Sequence, residues 1–198
     1  MADIITVLRA SSPASPQIYL VISQTGTLLS RILKAVTGAE YNHISLSLSP
    51  DLKRMYSFGR RHAYNPFWAG FVVESPHTGT FKRFSKTKAV VLALPVSKEA
   101  YQAISLLIQR MLFQQAVYHY NYLGLLFAAA HIRYRKKHCY YCSEFVKEIL
   151  LQVQVDGSEQ LAPIVQPIHF MEIPGGEKIY CGYLCDYPAG SAAGPHSP

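Results

Sequence analysis

Polar and apolar positions divide the chain into short alternating runs and longer helical stripes. The clearest alternation is His43-Ile44-Ser45-Leu46-Ser47-Leu48-Ser49. A strand puts Ile44, Leu46 and Leu48 on one face and His43, Ser45, Ser47 and Ser49 on the other. An earlier apolar run, residues 18–22, reads as a first strand. Pro50-Asp51 turns the chain into Met55-Tyr56-Ser57-Phe58, which ends at Gly59. Residues 71–74, 89–94 and 178–184 supply further strands. A helix is expected over residues 28–36, closed by Gly38. The strongest helical stripe is Tyr101, Ile104, Ile108 and Leu112, within residues 97–117 and behind Ser97 as N-cap. Two more helices are expected, over residues 122–132 and from Cys142 to about residue 153. Strands, then helices, then a strand predict an α+β fold, a central antiparallel sheet packed by helices.

With 198 residues, 49% of them apolar and 16% charged, the chain can bury a full core as one domain. That domain is expected over residues 17–187. Ser11-Ser12-Pro13 and Ser15-Pro16 make residues 1–16 irregular, and residues 188–198, rich in Pro, Gly, Ser and Ala, read as a disordered tail. The formal charge of +7 permits attraction to anionic surfaces, a membrane surface among them. The basic residues are scattered and no nucleic-acid motif accompanies them, so nucleic acid is not an expected partner. Their densest run, Arg133-Tyr134-Arg135-Lys136-Lys137-His138, lies just before Cys142.

No basic, apolar leader is visible at Met1-Ala2-Asp3, and the longest uncharged apolar run is shorter than the ~20 residues that cross a bilayer. A cytoplasmic location follows, where free thiols are the default. The sequence sets no oligomeric state. Four cysteines form two close pairs, Cys139/Cys142 and Cys181/Cys185. Two such pairs can make a zinc site, but Ile179-Tyr180-Cys181-Gly182-Tyr183-Leu184-Cys185 reads as strand and lacks the flanks of a zinc knuckle. Cys-Tyr-Tyr-Cys before a helix also fits a redox pair. Neither reading leads, and no metal or cofactor is expected.

Cys142 carries the sharpest chemistry. It opens an apolar helix, and a helix N-terminus favours thiolate over thiol. A base must come from elsewhere in the chain. His43 is preferred among the eight histidines because it begins a strand whose alternate positions are greasy. If the Cys142 helix covers the strand's polar side, an imidazole nitrogen reaches the sulfur. A base held this way is replaceable with little loss of stability.

Three strings then resemble a known family: Asn42-His43-Ile44-Ser45-Leu46-Ser47-Leu48, Met55-Tyr56-Ser57-Phe58-Gly59-Arg60 and Tyr141-Cys142-Ser143-Glu144-Phe145-Val146. They look like the circularly permuted branch of the NlpC/P60 papain-like superfamily. In ordinary members the cysteine helix precedes the histidine strand. Here His43 comes first, as in YiiX-like proteins and the lecithin:retinol acyltransferase group. The resemblance implies a papain-like sheet or partial barrel in permuted NlpC/P60 topology, with Cys142 as nucleophile and His43 as base. It also implies a third polar residue on the next strand to orient the imidazole. Ser57 stands at that position and departs from the family's stronger partners, so Glu74 is an alternative source. For the oxyanion and substrate, the resemblance points to Tyr122 and Tyr19, with Glu74 grouped beside them. The implied activity is a cysteine hydrolase or acyltransferase on a peptide, acyl or lipid-like amide or ester. The alternative is a papain-like binding module with weak or no activity, which a serine third member favours.

Overall fold

The computed structural model describes residues 15–24, 40–62 and 65–188. The helix expected over residues 28–36 lies outside them, as do residues 1–14 of the N-terminal segment and 189–198 of the tail. The chain runs β1 (Gln17–Gln24), β2 (His43–Ser47), β3 (Met55–His62), β4 (Asn65–Glu74), α1 (Gly79–Arg83) and β5 (Lys88–Pro95). It continues with α2 (Lys98–Phe113), β6 (His119–Tyr120), α3 (Tyr122–Ala129), β7 (Cys139–Tyr140), α4 (Cys142–Gln152) and β8 (Glu177–Tyr183). The strands form one eight-stranded sheet in the order β7-β6-β4-β3-β2-β1-β5-β8. Every pairing is antiparallel except β6 with β7. The fold is α+β.

Alternation in β1 sorts the core into two clusters. Ile18, Leu20 and Ile22 join Ile44, Leu46, Phe58, Ile104, Ile108, Phe145 and Val146 on one face. Tyr19 and Val21 join Met55, Phe81, Val91 and Leu184 on the other. Helix α4 packs on β2 and β3 through the first cluster, its Phe145 ring 5.3 Å from Phe58 and 5.6 Å from Phe71. Both large clusters remove apolar side chains from water, the dominant favourable term in folding.

Local signals set the helix ends. The Ser97 side chain accepts from the Ala100 amide at 3.0 Å and starts α2. The residues expected to extend that helix to 117 form instead a separate 3₁₀ turn, Gln115–Val117. Asn121 caps α3 by accepting from the Gly124 amide at 2.9 Å. The helix stops at Ala129, short of the expected residue 132. Strand β4 is longer than the expected residues 71–74, and the two-residue strands β6 and β7 were not foreseen.

Candidate active site

Cys142 is the first residue of α4 and His43 the first of β2. The sequence reading placed the cysteine helix on the polar side of the histidine strand. The helix lies instead on the apolar side, with Ile44 and Leu46, because Phe145, Val146, Ile149 and Leu150 need that surface. Cysteine and histidine still meet, because each opens its element. The Cys142 thiol hydrogen-bonds with the His43 imidazole. Cys142 is 5% exposed.

Glu74 holds the other side of the ring. His43 Nε2 lies 2.9 Å from Glu74 Oε2, and the two side chains are only 13% and 12% exposed. The Ser45 hydroxyl, two residues on from His43 and on the same strand face, donates to the same oxygen at 2.7 Å. With Nε2 engaged by the carboxylate, Nδ1 is the nitrogen left for the thiol. Glu74 ends β4, two strands from His43, and its side chain crosses β3 at Gly59. A Cβ on residue 59 would press on Glu74 Oε1 at 3.3 Å and on His43 Cε1 at 3.5 Å. Glycine therefore opens the path by which carboxylate and imidazole meet. The Phe81 ring, its centroid 6.1 Å from that of the imidazole, screens the pair.

The charges follow from this packing. Burial alone would strip His43 of its proton, but the Glu74 charge and hydrogen bonds to Cys142 and Glu74 prevail and raise its pKa to about 10. Burial likewise disfavours the Glu74 carboxylate, yet the charge of His43 and hydrogen bonds from His43 and Ser45 hold it below the usual carboxylate range.

Ser57 is a correction. Its hydroxyl donates to the Ile44 carbonyl at 2.6 Å and is fully buried, so it ties β3 to β2 and does not orient the imidazole. Glu74, the alternative source, is the side chain that bonds the imidazole. Accordingly Ser57→Ala is expected to lower stability by about 1 kcal/mol, the scale of one lost hydrogen bond, in denaturant unfolding. It should leave the alkylation rate of Cys142 unchanged. A loss of reactivity would restore Ser57 to the site.

The two tyrosines named from the sequence are placed differently. Tyr19 pairs with Ser47 on β1, four positions from the Ser23 that faces His43, and its hydroxyl bonds Gln17 Oε1 at 3.2 Å. At ~3.4 Å per residue it is about 14 Å along the strand from the imidazole, away from the thiol. Tyr122 is 36% exposed at the start of α3, and its ring packs on Tyr120 with centroids 4.7 Å apart. Tyr120, which is not one of the two named, neighbours the cysteine. Strand β6 pairs Tyr120 with Tyr140, two residues before Cys142, and the Asn121 amide donates to the Tyr140 carbonyl at 3.0 Å. Burial, reinforced by Cys142, Tyr122 and Tyr141, raises the Tyr120 pKa well above the phenolic value, so the hydroxyl keeps its proton and can donate. The signal lay in Asn121: a helix cap turns the following residue outward and leaves the preceding one in the strand.

No side chain caps the start of α4 at Tyr141, so the first amides of the helix remain for an anion at the thiol. Half-buried Arg60 neighbours Tyr120, Tyr122 and Arg83. Arg60 and Glu74 line a cavity of about 520 Å³ together with Val73, Thr80 and Phe81. A second cavity of about 390 Å³ is lined by Tyr141, Glu144 and Arg133. The thiol itself lines neither. All four cysteines are free, and among the described residues no group of three or more His, Cys, Asp or Glu is placed to hold a metal ion.

Compared with family models, curated proteins and solved structures, the chain finds no match in any of the three.

Proposed function

We propose that this protein is a cysteine hydrolase or acyltransferase acting on an amide or ester through a Cys142 thioester. The observation that carries the reading is the His43 imidazole held between the Cys142 thiol and the Glu74 carboxylate. His43 holds the cysteine's proton on Nδ1 as an imidazolium stabilised by Glu74, while the sulfur attacks the substrate carbonyl. The Cys142 amide and the Tyr120 hydroxyl stabilise the oxyanion. The imidazolium, steadied by Glu74, gives its proton to the leaving group and leaves an acyl thioester on Cys142. Water or another acceptor, deprotonated by His43, then releases the acyl group and restores the thiol. The three strings that resemble the permuted NlpC/P60 branch support a papain-like topology for this chemistry. The substrate class is a peptide or an acyl, lipid-like molecule in the cytoplasm, and Arg60 would hold an acidic group on it. The alternative is a non-catalytic module with a serine third member; the Glu74 carboxylate on His43 favours the enzyme over it.

The test is acid quenching during turnover of a p-nitrophenyl acyl ester, followed by mass spectrometry of the cysteine peptides. An acyl adduct is expected on Cys142, present in Cys139→Ala and absent in Cys142→Ala. No adduct, or an adduct on Cys139, would overturn the proposal.

A further inference from the structure

Helix α3, Tyr122-Leu123-Gly124-Leu125-Leu126-Phe127-Ala128-Ala129, carries no charge on any side. A helix apolar all round is ordinarily buried in a core or in lipid. This one lies at the surface. Leu123 is 54% exposed, Leu126 66% and Phe127 36%, and Ile132 just beyond the helix is 54% exposed. Leu123, Leu126 and Phe127 share one helix face by their spacing of three and four.

The chain then enters its densest basic run. Arg135 is tied to Glu144 and Glu148. Arg133, Lys136 and Lys137 are exposed, and none makes a salt bridge among the described residues. Residues 119–138 contain no aspartate or glutamate. Apolar side chains and uncompensated cations thus occupy one continuous segment. An anionic bilayer surface matches both, with its apolar interior beneath negative headgroups. Among the described residues no helix is long and apolar enough to cross a membrane.

We propose that α3 and the segment through Lys137 seat the protein on an anionic lipid bilayer. Leu123, Leu126, Phe127 and Ile132 enter the acyl boundary, and Arg133, Lys136 and Lys137 meet headgroup phosphates. The seat begins at Tyr122, packed on the Tyr120 that flanks Cys142, so it brings the nucleophile to the membrane. The surface itself stands apart from the hydrolase reading.

Sedimentation with phosphatidylcholine vesicles, with and without phosphatidylglycerol, tests it. The protein should sediment with the anionic vesicles, weakly with the neutral ones, and less in high salt. Leu126→Glu and the double variant Lys136→Glu, Lys137→Glu should each lower the partition at least about tenfold. Both alter exposed positions, and circular dichroism checks their folding. No sedimentation with anionic vesicles, or unchanged partition in both folded variants, would overturn the proposal. So would a dimer in solution that Leu126→Glu dissolves while vesicles bind nothing, which would give the face to a second copy. Cys142 alkylation, which neither variant touches, separates failure of this surface from failure of the nucleophile.

Discussion

His43→Ala is expected to cut turnover of an acyl ester by about 10²–10⁴, the usual contribution of a positioned base. It should also destabilise the fold by about 1–3 kcal/mol, because Glu74 is left as a mostly buried carboxylate with only Ser45 to satisfy it. From the sequence alone, little change in melting is expected. The carboxylate on the far side of the ring is the reason for the revision. His43→Gln separates the two effects: its amide can donate to Glu74 but cannot shuttle a proton. Stability should largely return while turnover stays low. Recovery of turnover in His43→Gln would remove His43 from the role of base.

Glu74→Gln should cost about 2 kcal/mol at pH 6, since it breaks a nearly buried pair while keeping its volume. It should also change how stability varies with pH. His43 is raised in the folded state, so its contribution is complete below the ordinary imidazole value of 6.5 and is lost as pH rises through about 10. Glu74 is lowered in the folded state, so its contribution is complete above the ordinary 4.5 and is lost as pH falls through its depressed value. The pair therefore stabilises most between about pH 4.5 and 6.5. Urea unfolding across pH 3–10 should show both flanks in the wild type and shallower flanks in Glu74→Gln. Equal slopes in the two proteins would mean that the pair does not couple to folding.

Much of the site was legible because two of its parts obey local rules. Strict alternation through residues 43–49 put Ser45 on the face of His43, and the apolar stripe of α4 made Cys142 a helix start. The third member was not local. Glu74 reaches His43 across β3 at Gly59, and that crossing depends on the long-range register of β3 against β4, which no local pattern of residues fixes. The resemblance implied Ser57, whose hydroxyl donates to the Ile44 carbonyl instead. The side on which α4 packs differs from the expected one for a related reason. The polar row of β2 looked like the place for chemistry, while the larger hydrophobic gain drew the helix to Ile44 and Leu46. The fold class was readable from element order, whereas β6 and β7 are too short to leave a periodic trace, and they are what set Tyr120 beside the thiol.

The central claim is that His43 activates Cys142, and iodoacetamide labelling resolved by cysteine measures it most directly. At pH 6 Cys142 should label faster than Cys139, and His43→Ala should slow Cys142 at least about tenfold while leaving Cys139 unchanged. Equal labelling of the two cysteines in the wild type, or a Cys142 rate indifferent to His43, would contradict it.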